Sequence, residues 1–201
     1  MAVPVVLHGQ DSSFHLVSDP SEIQVKIAKI AKETTSIQSD FEQEKHISFM
    51  SEPMISKGKF YFKQENKIRW EYTDPYKYAI VMNEGKITIF DGENKNRFDV
   101  KSKIIFNRIN EMMLNTIKGN VLNNNEFDNR IYENDQFVLV RLKPIAKQIK
   151  KHIDQIDIYF NKKDIQVSEI KITEQSGDDT RIFFKNRVLN QNVADSYFIV
   201  N

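Results

Sequence analysis

Histidines and paired carboxylates are the first places to look for chemistry, and in this chain neither is arranged for it. The four histidines, His8, His15, His46 and His152, show no paired ligand spacing of the kind a zinc site uses, so no metal is expected. Glu42 and Glu44 stand two residues apart, which on a strand puts both on one side, where an acid–base pair could be built. On the outer face of a sheet such carboxylates more simply keep the sheet in water. Cysteine is absent, which excludes disulfides, thiolate metal sites and cysteine nucleophiles together. No nucleophile elbow, phosphate-binding loop or dinucleotide glycine fingerprint occurs. The expectation is a protein that is not an enzyme, needs no cofactor and works by binding.

The pattern best suited to binding is an alternating apolar row. Gly58, Phe60 and Phe62 are followed, after the polar turn Gln64-Glu65-Asn66, by Ile68, Trp70 and Tyr72 at the same period of two. The row holds the only tryptophan, and it continues through Tyr78, Ile80, Ile89 and Phe98 in later strand-like runs. Such a face must press on a core, a covering helix or a ligand, and the residues alone leave all three open. Lys143, Lys147, Lys150 and Lys151 form a basic cluster. It reads either as a solvated loop or as a docking patch for an acidic partner or phospholipid headgroups.

The elements that must position this row can be read in order. Residues 1–18 show no regular period and are expected to be irregular, with one domain over 19–201. Asp19-Pro20-Ser21-Glu22 predicts a helix start, with Asp19 as cap and Glu22 completing a capping box. Ile23, Ile27, Ile30, Ala31 and Thr34 then form one stripe along about four turns. From Ser36 to Phe49 the period becomes two, with Ile37, Phe41, Ile47 and Phe49 on one side of a long strand. Further strands are expected near 56–64, 67–73, 76–83, 86–91 and 95–100. A second helix over about 102–118 carries Ile105, Ile109, Met112, Met113 and Thr116. Five more strands are expected near 127–132, 136–142, 153–161, 165–174 and 179–187. No strand–helix–strand rhythm appears, so the sheet is antiparallel.

Bulk composition narrows the partners. In 201 residues, 29 Lys plus Arg balance 28 Asp plus Glu, giving a net charge of +1 and no field that would favour nucleic acid. No apolar run approaches the roughly 20 residues a spanning helix needs. Met1 to Leu7 lacks a basic n-region, so no targeting peptide is expected within the chain.

The order of short motifs resembles one family. A capped helix, Ser39-Asp40-Phe41-Glu42-Gln43, Gly58 opening the next strand, Arg69-Trp70-Glu71-Tyr72-Thr73-Asp74-Pro75, Asn83-Glu84-Gly85-Lys86, Leu142-Lys143-Pro144 and Thr180-Arg181-Ile182-Phe183-Phe184-Lys185-Asn186 follow one another as in the periplasmic outer-membrane lipoprotein carriers of the LolA type. The likeness runs from about Pro20 to Val200. It implies a mainly β (α+β) fold: a strongly curved antiparallel sheet forming an incomplete barrel whose concave apolar face is covered by two or three helices. It also implies that Phe60, Phe62, Ile68, Trp70, Tyr72, Tyr78, Ile80, Ile89 and Phe98 line a cavity for acyl chains. Ile23, Ile27, Ile30, Ile105, Ile109, Met112 and Met113 would lie on the helical lid. The implied partners are acylated lipoprotein or lipid cargo, an inner-membrane donor complex and an outer-membrane acceptor. The implied location is the periplasm of a Gram-negative bacterium, for a monomeric protein whose signal peptide has been removed.

In the family, the strand before the hairpin turn ends in a basic residue followed by proline, and that basic side chain latches the lid. Here Gln64-Glu65 stands in its place, so the latch is expected to be weaker or to come from another residue such as Lys63 or Arg69. A sensor or scaffold on the same fold, or a binder of a small hydrophobic molecule, are the alternative functions. On the carrier reading, Trp70→Glu or Ile68→Glu should impair capture and leave the fold largely intact.

Overall fold

The computed structural model describes residues 14–83, 85–90, 115–117 and 125–199. Phe98, Ile105, Ile109, Met112 and Met113, the strand expected at 95–100 and all but the last turn of the second expected helix lie outside the described residues.

Among the described residues eleven strands form one sheet. They are β1 (His15–Leu16), β2 (Ser36–His46), β3 (Met54–Lys63), β4 (Lys67–Asp74), β5 (Tyr78–Asn83), β6 (Lys86–Phe90), β7 (Phe127–Glu133), β8 (Phe137–Pro144), β9 (Ile153–Asn161), β10 (Val167–Glu174) and β11 (Asp179–Leu189). Their spatial order is β1-β7-β8-β9-β10-β11-β2-β3-β4-β5-β6. Every pairing is antiparallel, and among the described residues β1 and β6 are the edges and the sheet does not close into a barrel. Helix α1 (Ser21–Glu33) joins β1 to β2, a helical turn occupies 115–117, and the single-turn α2 (Lys147–Lys150) joins β8 to β9. A 3-10 turn, Asp195–Phe198, ends the described chain.

Curvature follows from who meets whom. Laid flat, β9 and β3 would be about 19 Å apart across four strand spacings. Phe160 of β9 and Phe60 of β3 nevertheless line one small cavity. A single apolar cluster runs from Phe127 and Ile131 on β7 to Ile80 and Met82 on β5, with Ile27 of α1 packed into it. The strands feed it by simple alternation: on β4, Ile68, Trp70 and Tyr72 are buried, while Lys67, Arg69 and Glu71 turn outward. The three-residue β3–β4 turn, Gln64 to Asn66, carries Glu65 and Asn66 at φ 72° and 65°, both left-handed.

Gly58 has a specific task in this sheet. It pairs with Phe41 across the β2–β3 ladder, and the Phe41 ring lies over the position a side chain would occupy. Phe41 then meets the Trp70 and Tyr72 rings edge-on at 5.1 and 4.9 Å between centroids.

The convex face has its own small core. Val193 and Phe198 of the C-terminal segment cover Tyr61 and Val81, and Asp195 accepts hydrogen bonds from both Lys63 (2.9 Å) and Lys67 (3.0 Å).

Four expectations are corrected. Asp19 is not the cap: Pro20 holds that position, and the Asp19 carboxylate, one residue before it, accepts from Ser21 N at 3.0 Å, two residues on and at the first helical position. Glu22 does not complete a box; it pairs with Lys26 one turn on. The first long strand ends at His46, because Ser48 N turns away to bond the Asp178 carboxylate at 2.8 Å, and this leaves Phe49 85% exposed. Within the segment expected to be irregular, His15 and Leu16 form β1 against Glu133 and Tyr132, a pairing too short to show a period.

Candidate functional site

Between α1 and the concave sheet lies an apolar cavity of about 50 Å³. Ile27, Ile30, Ala31 and Thr34 of α1 form one wall, and the helical turn adds Thr116 and Ile117. Ile37, Phe60, Phe160, Val167 and Phe184, from five strands, form the opposite wall, and Ile165, Gln166 and Arg187 stand at the rim. Arg187 is the one charged lining residue among those described; its guanidinium donates to the Val167 carbonyl and lies 3.5 Å from the Asp164 carboxylate. Its pKa is lowered, mainly by burial. The space admits a few waters, whereas drug-sized ligands need about 300–1,000 Å³. A larger groove of about 540 Å³ lies outside, but Lys63, Gln64, Lys67, Asn190 and Asp195 make its walls polar, and hydrocarbon gains little there.

The residues of the alternating row divide on this map. Phe60 lines the cavity. Phe62, Ile68, Trp70, Tyr72 and Ile80 are fully buried in the core cluster, and Tyr78 and Ile89 pack against it, half-buried. The Trp70 indole is 1% exposed, with the rings of Phe60, Phe41 and Phe184 at 4.6, 5.1 and 5.9 Å. A glutamate at Trp70 or Ile68 would therefore bury an unpaired carboxylate, and the expectation that these variants keep their fold is withdrawn. Ile23, Ile27 and Ile30 do face the sheet from α1.

The end of α1 is fastened by polar bonds. Asn190, at φ 58°, accepts from Thr35 N at 2.7 Å and donates to the Glu33 carbonyl at 3.1 Å. Gln64 Nε2 donates to the Thr34 carbonyl at 3.4 Å, so the amide at the expected latch position reaches the C-terminal end of α1 with a neutral, long hydrogen bond. Arg69 is on the other side of the sheet: it pairs with Glu71 at 3.1 Å and donates to the Tyr197 carbonyl at 3.2 Å, because odd-numbered residues of β4 point away from α1. Lys63 also serves the outer face through Asp195. Asn190, Phe184, Val167 and Arg187 were not singled out as site residues from the sequence. Phe184 lay in a quoted motif, whereas a left-handed Asn gives no periodic signal.

At the other end of the concave face Tyr72 and Tyr78 stack at 4.2 Å with planes 10° apart, and Tyr72 donates to Gln43 at 2.9 Å. Burial raises both hydroxyl pKa values, Tyr78 to about 12. In the folded chain both therefore keep their protons to higher pH than in the unfolded chain. Their stabilising effect is complete below pH 10 and is lost as pH rises toward 12, because the unfolded state ionises first. Denaturant titrations at intervals across that range should show stability falling by about 1.4 kcal/mol per pH unit for each such tyrosine. Tyr78→Phe should make the decline shallower by one proton, and a flat profile in the wild type would contradict the assignment.

A curved, unclosed antiparallel sheet with a helix laid over its apolar concavity defines a binding fold whose site is hydrophobic. The chain matches the family model "Outer membrane lipoprotein carrier protein LolA" over residues 32–201 and belongs to that family. A curated outer-membrane lipoprotein carrier protein of Methylococcus capsulatus is 31% identical over 68 residues, 34% of this chain and 33% of that protein. Among solved structures, the Pseudomonas aeruginosa MucA/MucB complex is similar at a TM-score of 0.53 and 12% identity, over 92% of this chain and 62% of that one. A DUF1329 family protein of Desulfovibrio piger is similar at 0.51 and 12%, over 90% and 98%. The chain thus spans less than two thirds of MucB, and the matched stretch is a third of the curated carrier.

Proposed function

We propose that this protein is a periplasmic carrier that receives the acyl chains of lipoproteins, or of a related lipid-linked cargo, between α1 and the concave sheet and passes them toward the outer membrane. The observation that carries this reading is the apolar space under α1 in a chain of the lipoprotein-carrier family. Each acyl methylene withdrawn from water is worth about 0.8 kcal/mol, so two or three long chains represent about 25 to 40 kcal/mol and cannot travel unshielded. The cavity as it stands holds only a fraction of one chain, so capture requires α1 to lift. The long, neutral Gln64 bond and the half-buried stripe of α1 suit a lid that moves. Release then runs downhill to a more apolar acceptor, with no nucleotide consumed by this chain.

Filling the cavity tests the reading directly. Ala31 faces it from the lid, so Ala31→Phe would occupy the space without exposing a core residue. Triacylated lipopeptide binding, followed by isothermal titration or by Trp70 emission, should weaken at least about tenfold, roughly 1.4 kcal/mol, with the melting temperature held or raised. Lipopeptide binding equal to wild type would remove the cavity from the carrier proposal. The second reading is a scaffold that docks a regulator, and it is favoured by the fold likeness to MucB, whose structure contains MucA. A wild-type chain that binds no acylated ligand would turn the assignment that way.

A further inference from the structure

We propose that one rim of the sheet is a docking edge for an anionic phospholipid surface, separate from the cavity under α1. The connections β8–β9, β10–β11, β2–β3 and β4–β5 all leave the same end of the antiparallel sheet. They form a continuous edge: Gln175 N donates to the His152 carbonyl at 3.0 Å, and Ser48 N donates to Asp178 at 2.8 Å. At the tip of the β2–β3 connection, Phe49 is 85% exposed, with Met50 at 46% and Met54 at 51%, and the adjacent β4–β5 connection presents Tyr76 at 75%. Single exposed apolar residues are ordinary, but four on two neighbouring connections form a patch. Aromatic and thioether side chains of this kind partition to the headgroup–acyl boundary.

Charge selects the occupant. Along the same edge α2 and its flanks carry Lys143, Lys147, Lys150 and Lys151, all exposed, and none forms an ion pair among the described residues. The carboxylates along this edge are Glu174, paired with Lys45, Asp179 beside Arg181, Asp128 beside Arg130, Asp178, which stays charged while accepting from Ser48 N, the exposed Asp154 after α2, and Glu52 and Asp74 next to the apolar connections; the α2 segment 143–152 itself carries none. Exposed apolar fingers on the same edge as a run of four lysines without an ion pair match a negatively charged bilayer, where each lysine near the surface is worth about fivefold in affinity. A water-soluble acidic protein would satisfy the lysines but give Phe49 no hydrocarbon to enter.

Co-sedimentation of the full chain with vesicles of equal parts phosphatidylglycerol and phosphatidylcholine, against phosphatidylcholine alone, tests this. Binding should favour the anionic vesicles and weaken at high salt. Lys147→Gln/Lys150→Gln should lower it about 30-fold, and Phe49→Ser/Met50→Ser about tenfold, with unchanged melting and lipopeptide binding. Ala31→Phe should leave vesicle binding intact even where it blocks cargo, so failure of the carrier reading and failure of this one give different results. In a Trp70→Phe background, Phe49→Trp should be quenched by brominated lipid. Equal binding to both vesicle types, insensitivity to the loop variants, or loss in Ala31→Phe would each overturn the proposal.

Discussion

Trp70→Glu is expected to unfold the protein rather than to give a folded chain that has lost its ligand. The indole is 1% exposed and is enclosed by the rings of Phe41, Phe60 and Phe184, so its removal alone costs about 3–5 kcal/mol. The incoming carboxylate either stays ionised without a partner or takes up a proton at a further cost of several kcal/mol. Together these reach the whole net stability of an ordinary domain, about 5–15 kcal/mol. Far-ultraviolet circular dichroism and a thermal melt decide the matter: no cooperative transition is expected, whereas Trp70→Phe should melt as a folded protein a few degrees lower. A Trp70→Glu chain that melts like wild type would show that the indole is not packed as described.

Gly58→Ala is the second large effect, and it comes from adding a single methyl group. A Cβ at residue 58 would lie 2.1 Å from the Glu71 carbonyl oxygen and 2.7 Å from two carbons of the Phe41 ring. The ring can turn aside, but the carbonyl belongs to the β3–β4 ladder and can move only with the strands. Overpacking of this kind typically costs about 1–3 kcal/mol, and the backbone contact places this site at or above the upper end. Urea unfolding should show the midpoint falling at unchanged slope. Adding Phe41→Leu to Gly58→Ala should recover only the part due to the ring; full recovery would mean that the carbonyl contact is not limiting.

Much of the fold was legible because period and turn chemistry are local. The switch from the α1 stripe to the alternation of β2, and the Gln64-Glu65-Asn66 turn, needed only neighbours within a few residues. What escaped depends on partners far along the chain. Nothing near Phe49 reveals that Asp178 will draw Ser48 off the strand, and β1 is visible only through Glu133 and Tyr132. The site was harder still, since alternation tells which side of β4 is apolar but not whether that side meets a neighbouring ring or an empty space. Of the row Phe60, Phe62, Ile68, Trp70 and Tyr72, only Phe60 lines the cavity, while its cross-strand partner Trp70 and Tyr72 meet the Phe41 ring instead.

The two attachments of α1 are unequal. Beyond Glu33 the chain runs directly into an eleven-residue strand, with Asn190 and Gln64 stitched across the junction. Before Ser21, among the described residues, it is held by the two-residue β1, the Val17 N bond to the Ile131 carbonyl, His15 at 3.5 Å from the Glu133 carboxylate, the Phe14 ring edge-on to Tyr159 at 6.0 Å, and Val17 against the core. A beam riveted at one end and more lightly fastened at the other lets go at the lighter end, so on the carrier proposal unbuckling β1 from β7 would be the less costly way to widen the mouth. A hydrocarbon tail would then slide in from the β7 side, with Asn190 serving as the pivot.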